Sequence, residues 1–592
     1  VSNPTKDDGV MREVHERTFT TWDGESLFYR HWPARGPSRG ALVLLHRGHE
    51  HSGRVAHLAD ELSMPQWDVF AWDARGNGRS PGARGDAPGF DALVRDLDRF
   101  VAWIDAEHGI PLERMAVVAQ SVGAVIAATW VHDFAPHLRA LVLASPAFQV
   151  KLYAPLAIPS LKLMKKLRGN FFVNSYVKPQ WLTHDQERIR SYREDPLITR
   201  PISVRVLLEL RAAADRVVAD ANAITVPTQL LVSGADFVVH RKPQDRFFER
   251  LGSHVKQRLL LPGFFHDTLG ERDRGPAVAA VREFLQQRFD AAPSRPSLLD
   301  AHRHGSRFDE SQVLAWPPQR WSLQGLRWRA VRAGLALGGR LSTGIALGLE
   351  TGFDSGSTLD YIYEDEARGR GLAGRLIDRN YLDAIGWRGI RVRREHLQEL
   401  LGVAMQRLRA AGKPVNAVDI AAGHGRYALH ALATGAKRAD RILLRDYSAL
   451  NVERGRALID AMGAGDIARF EQGDAFDRAS LASITPRPSL AIVSGLYELF
   501  PDNDAVAESL AGLADAVESG GFLIYTGQPW HPQLEFIARA LTSHRDRAAW
   551  VMRRRTQVEM DQLVEQAGFR KIEQRIDRWG IFSVSLAQRI DD

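Results

Sequence analysis

The sequence predicts the α/β class, with two units one behind the other on a single chain. Three observations carry this. The length of 592 residues is more than one core fills at ~150 residues per domain. In VVAQSVG (117–123) an apolar run stops at Ser121 and passes at once into the small residues of 123–128, which reads as buried strand, sharp turn and helix. In VNAVDIAAGHGRY (415–427) a second apolar run ends in Gly423 and Gly425 and continues as a helix.

Composition narrows the function. Hydrophobic residues make up 45% and charged residues 25%, the mixture of a soluble globular protein. A cysteine count of 0 excludes disulfides, thiolate metal sites and a cysteine nucleophile, and suits a reducing compartment. No metal is invoked. The opening VSNPTKDDG (1–9) is polar, and no window reaches ~18 apolar residues, so a cytoplasmic protein is expected.

The net charge of +7 is unevenly spread. No acid lies between Asp133 and Asp185, where Arg139, Lys151, Lys162, Lys165, Lys166, Arg168 and Lys178 fall. None lies between Glu310 and Glu350, where Arg320, Arg327, Arg329, Arg332 and Arg340 stand among Trp316, Trp321 and Trp328. Basic residues interleaved with tryptophan suit the inner face of an anionic membrane or a nucleic-acid backbone, and a solvated face beside core aromatics is the plain alternative. No RNA-binding motif accompanies them, so nucleic acid ranks last.

In chain order, the alternation at 18–32 around Asp23 and Gly24 reads as a β-hairpin. ALVLL (41–45) is a buried strand running into HRGHEHSGR (46–54), and 69–72 is another strand, ending in the glycine-bearing loop DARGNGRS (73–80). The strand, serine and helix at 117–128 match the nucleophile elbow of the α/β-hydrolases, where residues two before and two after the serine must be small. Here they are Ala119 and Gly123; the usual pattern has glycine at both.

The 46–54 stretch, the 73–80 loop and the elbow together resemble the monoacylglycerol lipase-like branch of the α/β-hydrolases, serine hydrolases often labelled lysophospholipase, over about 18–288. Arg47, where glycine is usual, and Ala119 depart from the pattern. They motivate a rival reading in which this half is only a substrate-binding module.

A nucleophilic serine needs a base, and the base an orienting carboxylate, in the order Ser, Asp or Glu, His. Asp236 follows a strand at 228–232, and His266 follows one at 257–261; both match the family positions. The resemblance implies Ser121 as nucleophile, His266 as base then acid, Asp236 as its partner, and the N–H groups of Gly48 and Val122 as the oxyanion hole. His46, His49 and His51 lack the carboxylate pattern of a metal site. Ser145 follows a strand at 140–144, but Pro146 bars an elbow helix. The span 147–224, with its basic and apolar KLYAPLAIPSLKLMKKLRGNFF, is expected to be a lid over Ser121 that favours an amphiphile with an anionic head.

A helix at 276–288 closes a first domain of 1–290, and AAPSRPS (291–297) opens a linker and basic Trp/Arg-rich segment at 291–340. The second domain is expected at 341–592, its cofactor-binding core beginning at about 398. The glycine density of 341–363 predicts tight turns. Strands at 441–446 and 468–471 lead to Asp446 and Asp474, and those at 490–494 and 521–525 precede Tyr497, Glu498 and His531.

Asp419, Gly423 and Gly425, with Asp446 and Asp474 at strand ends, resemble the class I S-adenosylmethionine-dependent methyltransferases, a Rossmann-like fold. Longer stretches, among them GLETGFDSGSTLDYIY, IGWRGIRVRR and SGLYELFPDN, are similar to a bacterial methyltransferase family fused behind an α/β-hydrolase, over about 341–587. The resemblance implies S-adenosyl-L-methionine as cofactor, held by those five residues. A nicotinamide dinucleotide is disfavoured because AGHGRY lacks the third glycine of GxGxxG. Tyr497, Glu498 and His531 are candidates for the methyl-acceptor site. Arg553, Arg554 and Arg555 are read as a solvated helix face. The expected whole is a bifunctional hydrolase and methyltransferase acting on a small or lipid-like substrate, of open oligomeric state.

Overall fold

A computed structural model describes residues 12–154, 156–293, 295–434 and 438–590; the polar stretch 1–9 lies outside them, as does Ser294 of the expected linker. The chain divides into two compact units, Val1–Pro296 and Ser297–Asp592.

The first unit is built on eight strands: β1 (His15–Thr20), β2 (Ser26–Trp32), β3 (Ala41–Leu45), β4 (Asp68–Trp72), β5 (Met115–Gln120), β6 (Ala140–Ala144), β7 (Thr228–Ser233) and β8 (Lys256–Leu261). They lie in the order β1, β2, β4, β3, β5, β6, β7, β8. The β1/β2 hairpin and the β2/β4 pair are antiparallel, and every later pair is parallel. This is the α/β-hydrolase fold. Parallel strands are buried on both faces by the helices that connect them, so β3, β5 and β6 are apolar without alternation. Each fully buried Val or Leu in them contributes about 1.5–3 kcal/mol.

The span 147–224 enters between β6 and β7. It holds helices Ala157–Arg168, Gln186–Glu194 and Val204–Ala219 and a small sheet of Phe172–Asn174 with Pro201–Ser203. It is pinned to the helix after β5, Ser121–Phe134, by a buried network. Arg216 Nη2 donates to Asp133 Oδ2 (2.8 Å), and His132 Nε2 lies 2.8 Å from Asp220 Oδ2. Burial alone would raise the Asp133 carboxyl, but the Arg216 charge overrides it and holds it down at about 2.

The second unit has a seven-stranded sheet: β9 (Asn416–Asp419), β10 (Arg441–Asp446), β11 (Ala468–Gln472), β12 (Leu490–Val493), β13 (Phe522–Gly527), β14 (Phe569–Ile576) and β15 (Ser583–Arg589). The order is β11, β10, β9, β12, β13, β15, β14, with β15 antiparallel to both neighbours and the rest parallel. The strand order reverses at β9, so the loops after β9 and β12 open a crevice at the carboxyl ends of the strands. This is a Rossmann-like fold with a terminal antiparallel hairpin.

Two sequence expectations are corrected here. The segment 291–340 was expected as a linker, but from Ser297 onward the chain belongs to the second unit. It forms helices Ser306–Ala315 and Leu323–Gly338, and Leu314 packs in one core with Phe353, Trp387 and Phe582. The glycine-rich span 341–363 folds into helices Thr343–Thr351 and Gly356–Glu364 rather than a series of turns. Its glycines serve close packing: a Cβ on Gly344 would lie 2.6 Å from the Tyr381 ring, and one on Gly348 2.4 Å from Phe353. With Gly371–Leu382 and Ile385–Ala410 these helices form a cap on the second sheet. Among the described residues no helix is long and apolar enough to cross a membrane.

Candidate active sites

In the first unit β5 delivers Ser121 at φ 51, a left-handed conformation that a non-glycine residue adopts only where its surroundings enforce it. Ser121 Oγ stands 2.7 Å from His266 Nε2, and His266 Nδ1 stands 2.8 Å from Asp236 Oδ2. The other oxygen of Asp236 accepts N–H groups from Val238 (2.7 Å) and Val239 (3.0 Å). Burial would raise this carboxyl; the imidazole and the two amides outweigh it and hold it below the usual carboxylate range. The three residues expected from the sequence therefore form one relay.

The expected oxyanion donors also come together. Val122 is in the first turn of its helix, where N–H groups have no intrahelical acceptor. A Cβ on Gly48 would lie 2.9 Å from Val122 Cγ2. His46 Nε2 accepts the Ala74 N–H (3.0 Å), which leaves the ring proton on Nδ1 to donate to the Arg47 carbonyl (2.6 Å). Because a trans peptide points its C=O and N–H in opposite directions, fixing that carbonyl fixes the direction of the Gly48 N–H.

Arg47 is buried at the cavity wall and pairs within its own loop. Its buried guanidinium donates to Glu50 (Nε to Oε2, 3.0 Å) and lies 3.3 Å from Asp267. Ala119 sits fully buried in β5, in register with Leu45 and Leu143. Both departures are buried and fixed in place, and the Ser121–His266–Asp236 contacts form with them present. His51 contacts Asp195 (2.8 Å) through Nε2 and accepts Gly53 N–H through Nδ1. Ser145 Oγ accepts from Thr268 (2.8 Å) in the core.

Gly123 is the position where the elbow tolerates no side chain. A Cβ there would lie 2.5 Å from the His46 carbonyl oxygen and 3.0 Å from Leu45 Cβ. Gly123→Ala is expected to cost about 1–3 kcal/mol of stability by overpacking and to lower ester turnover more than tenfold by displacing the 46–48 loop. A melt and a turnover assay both matching wild type would contradict this.

A cavity of about 580 Å³ opens beside Ser121 and His266, walled by lid residues such as Leu152, Leu161, Tyr176, Ile202 and Leu210. Its lining is predominantly apolar.

In the second unit β9 ends at Asp419, whose buried carboxylate accepts the Tyr427 hydroxyl and the Ala421 N–H (3.2 Å). Burial pushes this carboxyl up to about 7, against those hydrogen bonds and with the charge of Asp446 adding to the rise. Asp446, at the end of β10, accepts the Gly423 N–H (2.9 Å) on one oxygen and Ser448 N–H (2.9 Å) and Asn451 Nδ2 (3.0 Å) on the other. Gly423 has φ 59 with nothing within 4 Å of the place a Cβ would occupy, whereas Gly425 is closed in by Leu444. Asp474 is exposed after β11, accepting the Phe476 N–H (2.9 Å).

The acceptor candidates separate. Tyr497 is buried in the core, its hydroxyl 3.0 Å from Ser509 Oγ. Glu498 and His531 both line a cavity of about 300 Å³, walled by Phe353, Tyr381, Trp387, Trp550 and Phe582. Thr526 donates to Glu498 Oε1 (2.7 Å), and Glu498 Oε2 is buried without a hydrogen-bond partner. Burial pulls the His531 imidazole down to about 3, with the Arg554 charge adding to it. Its Nδ1 accepts the Gln533 N–H (3.0 Å), so the neutral ring carries its proton on Nε2 and is a donor there.

Two participants were missed from sequence. Arg393, on Ile385–Ala410, lines the same cavity, its guanidinium 5.0 Å over the Phe582 ring and 3.9 Å from Glu498. His424, between the two loop glycines, meets Asp360 of Gly356–Glu364 at 2.7 Å, so the cap is fastened to the glycine loop. The Arg553–Arg555 reading is corrected: the segment lies outside any helix and is buried. Arg553 donates to Glu559 (2.7 Å), Arg554 to Glu310 (2.7 Å) and Arg555 to the Tyr497 carbonyl (2.5 Å).

The chain thus carries a serine-hydrolase unit followed by a methyltransferase-type unit. Residues 281–589, more than half of it, match the family described as "Putative methyltransferase", and the chain belongs to that family; residues 36–273 match the family described as "Serine aminopeptidase, S33". It is 54% identical over 578 residues to "Uncharacterized protein YnbC" of Escherichia coli (strain K12), covering 98% of this chain and 99% of that one. The first half alone is similar to "Phospholipase YtpA" of Bacillus subtilis (strain 168), 26% identical over 260 residues, 43% of this chain and 98% of that protein. It is also similar to the human "Monoglyceride lipase", 29% identical over 250 residues, 41% of this chain and 80% of that one.

Proposed function

We propose that the chain is a cytoplasmic bifunctional enzyme that hydrolyses a lipid-like carboxylic ester in its first unit and transfers a methyl group from S-adenosyl-L-methionine in its second. The observation that carries the reading is the Ser121–His266–Asp236 relay, with links of 2.7 and 2.8 Å, opening on a large apolar cavity. The names of the phospholipase and lipase relatives support a glycerolipid or lysolipid ester.

In the first unit His266 Nε2 takes the Ser121 proton as Oγ attacks the ester carbonyl, and later returns it to the leaving alcohol. Asp236 keeps Nδ1 protonated and balances the imidazolium. Gly48 and Val122 N–H groups receive the oxyanion, each worth about 3–4 kcal/mol in the transition state. A water molecule activated by the same imidazole then frees Ser121.

In the second unit the residues fit the cofactor. The space at Gly423 allows a ligand to lie against the backbone, Asp446 and Asp474 stand at strand ends where ribose and base donors are accepted, and Asp419 is a buried carboxylate with no basic group among the causes acting on it. S-adenosyl-L-methionine, when bound, supplies a methyl group already activated on a sulfonium. Glu498 Oε2 accepts the proton of the acceptor's hydroxyl or amine, His531 Nε2–H donates to a second polar atom, and the aromatic wall excludes water and holds the acceptor in line.

Asp419 makes this half testable by pH. With its carboxyl at about 7 in the free protein, pairing with a cationic cofactor requires loss of a proton at lower pH. Affinity is therefore expected to rise as pH climbs from about 5.5 to 7, by up to about tenfold per unit, and then to level. Calorimetric titration with S-adenosyl-L-methionine would read this, and Asp419→Asn should flatten the dependence. A flat profile in wild type would sink the assignment.

A further inference from the structure

Helix Leu323–Gly338 of the second unit turns an apolar stripe outward. It buries Gly325 and Trp328, while Leu323 is 88% exposed and Leu326 and Leu337 are also exposed. At about 100° per residue, Leu323, Leu326, Ala330, Ala333 and Leu337 form one stripe about 80° wide, opposite Trp328, and all five are exposed. Arg327 and Arg329 flank the stripe, one on each side.

The surroundings extend this face. Trp316 and Trp321, just ahead of the helix, are both more than 70% exposed, and the Arg320 and Arg329 guanidinium groups lie 5.3 and 5.0 Å over the Trp321 ring. Arg370 N–H donates to the Leu341 carbonyl (2.8 Å), which brings up the start of Gly371–Leu382 with Leu372 and Leu376 exposed. No acid occurs between Glu310 and Glu350. The carboxylate of Glu535 accepts from Gln324 (2.9 Å), away from the stripe, and Arg332 is tied to the Arg539 carbonyl (2.9 Å).

We propose that this face docks on an anionic lipid bilayer. The helix lies in the headgroup plane, with its leucines and the two tryptophans at the acyl boundary and Arg320, Arg327 and Arg329 on lipid phosphates. The composition favours a bilayer over the other occupants. A nucleic acid would engage the arginines and leave the leucine stripe in water. A second copy related by two-fold symmetry would set Arg327 and Arg329 against themselves.

Leu335 of the same helix, and Ile377 and Tyr381 of the neighbouring one, line the cavity that holds Glu498 and His531. Docking would therefore set that cavity's walls against the membrane. The corollary, which rests on the methyltransferase reading, is an acceptor taken from the bilayer.

The test uses the full chain and needs no turnover, so it stands or fails apart from the methyltransferase reading. With no native cysteine, Leu326→Cys bearing a polarity-sensitive fluorophore reports this face alone, and Leu163→Cys reports the exposed lid helix of the first unit. On vesicles of phosphatidylethanolamine with about one-third phosphatidylglycerol, the Leu326 label should shift to the blue and be quenched by doxyl lipid; on phosphatidylcholine alone it should not. The double variant Arg327→Glu/Arg329→Glu should lower flotation with anionic vesicles at least about tenfold without moving the melting temperature. The proposal is overturned if the Leu326 label stays silent while the chain floats through its lid, or if the double variant floats like wild type. It is equally overturned if the label responds instead to RNA, DNA or self-association. Should the charge-reversed variant misfold, the label on the otherwise native chain still decides.

Discussion

Ser121→Ala is expected to lower turnover of p-nitrophenyl esters by at least about 10⁴-fold, the scale set by loss of a triad nucleophile in serine hydrolases. The argument is geometric. Ser121 is held at φ 51 with Oγ 2.7 Å from His266 Nε2, so its hydroxyl is oriented toward the base before any substrate arrives. His266→Ala should cost about as much, and the double variant little more than either single one, because the two act as a unit. Asp236→Asn should leave the fold intact and still cost about 10⁴-fold, since an amide at that position stabilises the wrong tautomer. Turnover surviving in Ser121→Ala at a tenth of wild type would show that the measured hydrolysis belongs elsewhere.

Asp446→Ala is expected to weaken S-adenosyl-L-methionine binding a hundredfold or more. One charge-assisted hydrogen bond to a ribose hydroxyl, at about 1.5–3 kcal/mol, would go with the carboxylate, whose other acceptor sites hold protein donors. The same carboxylate also holds the Gly423 N–H at 2.9 Å, so the glycine loop loses its anchor as well. Asp474→Ala, at an exposed position, should cost less than about tenfold. Calorimetry separates the two; an affinity unchanged in Asp446→Ala would remove Asp446 from the cofactor site.

What could be read from the sequence follows from how local the constraint is. The elbow was legible because a tight turn at Ser121 admits few residue types on either side, and Gly123 shows why: its neighbours are main-chain and Cβ atoms of Leu45 and His46. Asp236, His266, Asp419 and Asp446 were legible because each ends or soon follows a strand that is visible in the sequence. The substrate-side cavity of the second unit was not. Its walls come from helices of the 306–410 cap, from 495–499 and from 528–582, which only folding brings together, and Arg393 carries no local signature of burial. Tyr497 is a case of the same kind. It follows a strand as an active-site residue does, yet its ring turns inward to Ser509. The arginine run 553–555 looked like a solvated face because its acids, Glu559 and Glu310, are supplied by two separate helices.

The central claim is that one chain holds two separate working sites. It is tested most directly by treating the intact protein with a fluorophosphonate, mapping the adduct by mass spectrometry, and titrating the labelled protein with S-adenosyl-L-methionine. The account predicts a single adduct on Ser121, absent from Ser121→Ala, and cofactor binding equal to that of unlabelled protein. A chain that takes no adduct, or takes it away from Ser121, or binds no S-adenosyl-L-methionine in either state, would contradict it.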